Sequence, residues 1–187
     1  MGKCPIIINN KFNKTIYEKG EDNNLHIKDN YQIPIYEFSK ESLEKHNEYR
    51  KKHKAEDLIL DNDLGIYAQK HAKTLAKNNK VFHSTCKTEK EEIVGESIYS
   101  SDKEITGKDF TDILYNDKKN YNFEKPKHLS KASRFTQLIW KDTKKVGFGL
   151  ALNKKSKQFF AVAIYYPAGN KLGAYEENVE KEQQKKK

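Results

Sequence analysis

The sequence predicts an α+β fold: a three-layer α-β-α sandwich with a small antiparallel sheet between helices. Two observations carry the expectation directly. Leu64, Tyr67, Ala68, His71, Ala72, Leu75 and Ala76 recur at helical spacing over three turns. Residues 146–152 and 159–166 read as two strand-like segments, the second rich in β-branched and aromatic side chains, and the polar turn 153–157 between them suits an antiparallel hairpin. A third observation sets the layering. The helical stripes are too many for one face of so small a sheet, so helices are expected on both.

Taken in order, residues 1–38 are rich in Asn and Lys without a sustained period. They are expected to form an irregular extension, with a short extended piece over 31–38 where Pro34 interrupts the pattern. A helix over 39–54 follows, with Ser39 as cap and Glu41 near the positive helix end. Its inward stripe is Leu43, His46, Asn47 and Arg50, an unusually polar set for a core-facing helix. Asp63 is the expected N-cap of the second helix, which ends near Asn78 and Asn79. A third helix is expected over 109–119, with Phe110, Ile113 and Leu114 inward, and a fourth over 130–140, with Phe135, Leu138 and Ile139 on its apolar side. One further strand is expected at either 81–84 or 92–99. Pro167-Ala168-Gly169-Asn170 ends the hairpin. The domain reading is therefore an extension over 1–38, a folded domain over 39–179 and a loose Lys-rich tail over 180–187.

Of the 187 residues 35% are hydrophobic and 34% charged, which approaches the composition of disordered chains. Eleven Tyr and nine Phe argue for a folded core under a charged skin. No apolar run reaches the ~18 residues of a spanning helix. The N-terminal run Pro5-Ile6-Ile7-Ile8 is too short for a signal-peptide core. Two cysteines, Cys4 and Cys86, do not make a disulfide-rich scaffold, and whether they pair is left open. A cytoplasmic chain is the expectation, with an extracellular one as the alternative.

The net charge is +9, and residues 39–170 hold 26 basic against 18 acidic residues. The basicity thus belongs to the domain, as a basic face or as an evenly Lys-biased surface. No zinc finger, ribonucleoprotein motif or phosphate loop is present, so nucleic acid is not an expected partner. Only two of the 36 basic residues are Arg, Arg50 and Arg134. In a chain that otherwise uses Lys, these positions point to a need for a planar, forked donor.

Four segments resemble the family of cysteine-rich secretory proteins, antigen 5 and pathogenesis-related 1 proteins, the CAP or SCP domain. His46-Asn47-Glu48-Tyr49-Arg50 is similar to its HNxxR helix. Gly95-Glu96-Ser97-Ile98 resembles its G-E-N strand entry, with Ser in place of Asn. The run from Arg134-Phe135-Thr136-Gln137 through Trp140 to Thr143 resembles its F-T-Q signature, and Tyr165-Tyr166-Pro167-Ala168-Gly169-Asn170 its closing motif.

The resemblance implies a central cleft of two histidines and two acids that can hold a divalent metal. His83, Glu96 and Asp117 stand at three of these positions, and Arg134 at the second histidine. A guanidinium cannot ligate, so no cofactor is expected and zinc is disfavoured. Arg134 is expected to pair with Glu96 or Asp117, with His128 able to approach from its loop. The same four residues also read as a buried polar network, and His46, Asn47 and Arg50 as structural. The function implied is non-enzymatic: binding of lipids, an anionic lipid or sterol among them, or of an anionic membrane surface through a basic face and the central cleft, peripheral on Golgi or other membranes. The alternative is a module that takes a protein partner's segment in the cleft, and self-association into a homodimer belongs to the same expectation. Gly2 and Cys4 are the candidate lipidation sites, though Ile6 stands where a myristoylation pattern wants Ser or Thr. A hydrolase is not expected, because no Ser-His-Asp order or H-E-x-x-H helix is present.

Overall fold

The computed structural model describes residues 6–10, 13–19, 25–27, 35–84 and 93–182. Three short strands lie near the N-terminus: β1 (Ile6–Asn10), β2 (Asn13–Lys19) and β3 (Leu25–Ile27), paired antiparallel in that order. The irregular backbone expected over 1–38 is therefore strand in these stretches. The Ile triplet of β1 and the Thr-Ile-Tyr of β2 are good strand formers set among Asn and Lys that masked the period.

Helix α1 (Ile35–Lys52) starts four residues before the expected cap at Ser39. Pro34 precedes it, and a proline is as compatible with the entry to a helix as with an interruption. Residues 35–38 are thus helical rather than extended, and Phe38 is buried in the core. Strand β4 (Ile59–Leu60) leads into α2 (Asn62–Asn78). The cap of α2 is Asp61 rather than Asp63. Asp61 Oδ1 accepts from the backbone N–H of Asp63 and Leu64, both at 3.1 Å. Asp63 falls in the first turn, where its charge meets the positive helix end.

Strand β5 (Gly95–Ser101) forms in the second of the two candidate stretches, and residues 81–84 are not strand. Helix α3 (Gly107–Asn116) opens on a capping box between Thr106 and Asp109 and runs into a 3-10 turn over Asp117–Asn120. A second 3-10 turn, Ser130–Ala132, leads into α4 (Ser133–Leu138). The hairpin of β6 (Lys145–Asn153) and β7 (Gln158–Tyr166) and the short α5 (Tyr175–Asn178) complete the chain.

The central sheet has the order β4-β6-β7-β5. It is antiparallel except at β4, which pairs with β6 in parallel at Ile59↔Lys145 and Leu60↔Val146. Two residues are too few to show a period in the sequence, so this edge was not foreseen. Along β7, side chains alternate between two cores. Phe159, Ala161, Ala163 and Tyr165 join Phe110, Leu114, Phe135 and Trp140 on the α1, α3 and α4 side. Phe160, Val162 and Ile164 join Leu64, Ala68, Ala72 and Leu75 of α2 on the other. The mixed α/β architecture is thus three layers around one sheet.

Helix α2 lies flush on β6. A Cβ at Gly147 would stand 2.1 Å from the backbone N of Gly65, and one at Gly149 2.3 Å from the carbonyl carbon of Ala68. No side chain larger than hydrogen fits at either position.

Candidate functional site

The polar stripe of α1 is spent on the protein's own backbone. Arg50 is fully buried, and its guanidinium donates to four carbonyls: Glu56 at 2.7 Å, Leu138 at 3.0 Å, and Trp140 and Thr143 at 2.9 Å each. Burial lowers its pKa to about 10. Asn47 clasps Leu58 through both amide atoms, at 2.7 and 3.1 Å. His46 Nδ1–H donates to the Ser42 carbonyl at 2.7 Å, which leaves Nε2 to accept from the Tyr165 hydroxyl at 2.9 Å. Burial pushes the pKa of His46 down to about 3 and that of Tyr165 well above its ordinary value.

The two C-terminal motifs are partners of one another. Thr136 donates to Asn170 Oδ1 at 2.6 Å, and Asn170 Nδ2 donates to the Ser133 carbonyl at 2.9 Å. Gln137 accepts from the Gly169 N–H at 2.9 Å and donates to Thr143 Oγ1 at 3.1 Å. The Thr143 hydroxyl in turn donates to the Pro167 carbonyl at 2.9 Å. The F-T-Q segment of α4 thereby holds the loop that leaves β7.

The four residues that the sequence resemblance assigns to the cleft fall into two pairs. Arg134 meets Asp117 with both ends of its fork, Nε to Oδ2 at 2.7 Å and Nη2 to Oδ1 at 3.0 Å. The guanidinium is one-third exposed and the carboxylate mostly covered. Glu96 is engaged elsewhere. Its Oε1 accepts from His83 Nδ1–H at 2.8 Å and from the Ser84 N–H at 3.0 Å, and its Oε2 from the Ser84 hydroxyl at 2.6 Å. His71, which the sequence assigns to the core, stands behind this pair. Its Nε2–H donates to the Phe82 carbonyl at 2.9 Å and lies 3.7 Å from Glu96 Oε2. Sequence reading missed Ser84 and His71 as neighbours of Glu96. The adjacency of Ser84 to His83 was the available signal for the first.

The separation of the pairs follows from the pleat. Glu96 shares the face of Ile98, toward α2, because residues two apart on a strand point the same way. Arg134 stands on α4, in the opposite layer. Among the described residues, no three His, Cys, Asp or Glu side chains are placed to hold a metal ion. His128 does not join either pair, and its Nδ1 bonds the Tyr175 hydroxyl at 2.9 Å.

The start of the expected loose tail is docked. Glu180 pairs with Lys54 at 2.6 Å and also with Lys141, and its carbonyl accepts from His53 Nδ1–H at 2.6 Å. The two lysines hold the Glu180 carboxyl down at about 2. Glu182 pairs with Lys118. Residues 183–187, Gly2, Cys4 and Cys86 lie outside the described residues.

The sequence profile of the cysteine-rich secretory protein family, CAP, matches residues 43–165. The chain belongs to the CAP family. Over 145 residues it is 39% identical to the human Golgi-associated plant pathogenesis-related protein 1, covering 76% of this chain and 92% of the relative. It is 28% identical to the yeast protein PRY2 over 76% of this chain but only 41% of that protein. Among solved structures, the CAP fold matches Schistosoma mansoni venom allergen-like protein 4 with a TM-score of 0.58 at 18% identity, over 79% of this chain and 96% of the other. It matches NaASP2, solved with Zn2+, with a TM-score of 0.59 at 20% identity, over 78% and 87%. Relatives of this CAP chain include proteins named as Golgi-associated and as secreted. No helix among the described residues is long and apolar enough to cross a membrane.

Proposed function

We propose that this CAP-domain chain is a non-enzymatic protein that binds an anionic lipid surface through its basic face. The observation that carries the reading is the fork of Arg134 on Asp117. Arg134, which the sequence resemblance sets at the second histidine, brings a permanent cation and occupies both oxygens of the acid. Such a donor set does not fit zinc, because the guanidinium has no lone pair to give and repels the ion. His83 is oriented by Glu96, which accepts its Nδ1–H. The cleft carboxylates are satisfied internally, and the surplus charge of +8 over 39–170 sits mainly on lysines at the surface.

The test is co-sedimentation with vesicles of phosphatidylcholine alone and with added phosphatidylserine, at low and high salt. The expected result is binding to the anionic vesicles only, lost as salt rises past the screening range. Equal sedimentation on both vesicle types would sink the electrostatic reading.

A further inference from the structure

We propose that the membrane-contact surface is formed by two leucine-tipped loops, residues 127–131 and 171–174, linked through Asn170 and Ser133 at the start of α4. The proposal rests on the lipid-surface reading above and says where on the molecule it applies. Leu172 is 84% exposed, more than any other large hydrophobic side chain among the described residues. It occupies the tip of a turn closed by the Ala174 N–H to the Lys171 carbonyl at 3.2 Å, with Gly173 at the position of positive φ (83°). Leu129 is 40% exposed on the approach to α4. Asn170 fastens the first loop to the second, since its side chain bonds Thr136 and the Ser133 carbonyl, and Ser133 bonds back to the Ser130 carbonyl. Neither leucine is an accident of a frayed end.

Each leucine has cations beside it. Lys127 and Lys131 flank Leu129, and Lys171 precedes Leu172; all three lysines are exposed. An apolar tip with adjacent lysines is complementary to the interface of an anionic bilayer. The leucine reaches the acyl boundary while the ammonium groups stay among the headgroups. A second lysine-rich surface provides the contrast. The turn between β6 and β7 carries Lys154, Lys155 and Lys157 at the opposite end of the sheet, beside the end of α2, and the exposed hydrophobics that follow there, Val81 at 46% and Phe82 at 38%, are each far less exposed than Leu172. Charge alone would not choose between these ends. The leucines do.

The experiment uses the full chain and vesicles with and without phosphatidylserine. Leu129→Asp with Leu172→Asp, both at exposed positions, is expected to weaken binding about tenfold or more. Replacing Lys154, Lys155 and Lys157 by Glu is expected to weaken it much less. Leu172→Trp adds a direct readout against the buried Trp140, and its emission is expected to shift to the blue on anionic vesicles only. If the parent protein binds and neither the double variant nor the tryptophan responds, the location is wrong while the lipid reading stands. If the parent protein binds neither vesicle type, the lipid reading itself fails and takes this surface with it. A size-exclusion dimer that the double variant dissolves, with vesicle binding intact, would assign the tips to a second copy of the chain and overturn the proposal.

Discussion

Tyr165 donates its hydroxyl to Nε2 of His46 at 2.9 Å, tying the middle of α1 to the end of β7 through two fully buried rings. The bond requires a neutral imidazole, since the other nitrogen already carries the proton given to Ser42.

The fold should therefore lose stability in acid earlier than its carboxylates alone would dictate. An unfolded histidine takes up its proton near pH 6.5, whereas in the fold His46 does so only at about 3. Between these values the unfolded state binds more protons, so stability falls as the pH falls and this loss is complete near the lower value. Burial lowers His53 too, with the same sign. Moving from pH 7 to pH 4.5 should cost roughly 2–3 kcal/mol from His46 alone. Thermal melts across this range check it; a His46→Gln variant with an equally steep profile would exonerate the histidine.

Arg50→Lys should be severe despite keeping the charge. An ammonium cannot reach four carbonyls in one plane, so buried acceptors on both sides of the guanidinium lose their donors. The expected loss is about 3 kcal/mol or more, read from urea unfolding. A loss below about 1 kcal/mol would mean that the surrounding chain relaxes around the shorter network.

Arg134 should behave differently because its pair is partly solvated. Arg134→Ala is expected to cost about 1–3 kcal/mol, less than a fully buried ion pair. Calorimetric titration of the parent protein with Zn2+ should give no stoichiometric heat, and Arg134→His should create or strengthen a zinc site. Tight zinc binding by the parent, abolished by His83→Ala, would show that the cleft has been misassigned.

The two glycine environments of the α2 layer should respond with opposite sign. Gly149→Ala forces a methyl into the backbone at Ala68 and should destabilise by about 3 kcal/mol. Gly65→Ala meets nothing within 4 Å on the same helix and should stabilise by about 0.5–1 kcal/mol. Denaturation midpoints of the two variants side by side decide the matter.

Elements with strong periods were legible in the sequence. The stripe from Leu64 to Ala76 and the β6–β7 hairpin needed only spacing and residue type. What was not legible depended on partners distant in the chain. Asp61 outcompetes Asp63 as cap because the helix starts two residues early, beside the parallel edge at Ile59 and Leu60. The stretch 1–38 hid its strands because the runs Ile6-Ile7-Ile8 and Thr15-Ile16-Tyr17 sit among Asn and Lys without the alternation that marks a half-buried strand. At the cleft, residue identity foretold an Arg–carboxylate pair, but the choice of Asp117 over Glu96 is made by the pleat, which turns Glu96 toward α2. Thr136 with Asn170, and Gln137 with Gly169, were visible as two separate motifs. Nothing local says that they bond to each other.

The flush seating of α2 on Gly147 and Gly149 bears on how any lipid is met. A sheet normally stands off from its helix by the depth of two layers of side chains; here, at these points, the gap is closed to backbone contact. An acyl chain or sterol ring cannot slide between α2 and the sheet without prising the helix away. The open volume of about 750 Å³ bordered by Ile35, Leu60, Ile66 and Phe148 lies between α1 and α2 at the β4 edge of the sheet, beside that contact and not within it. On this side the molecule is a slab and not a purse: a hydrophobic guest is touched along a rim, and swallowing one would mean unseating a helix.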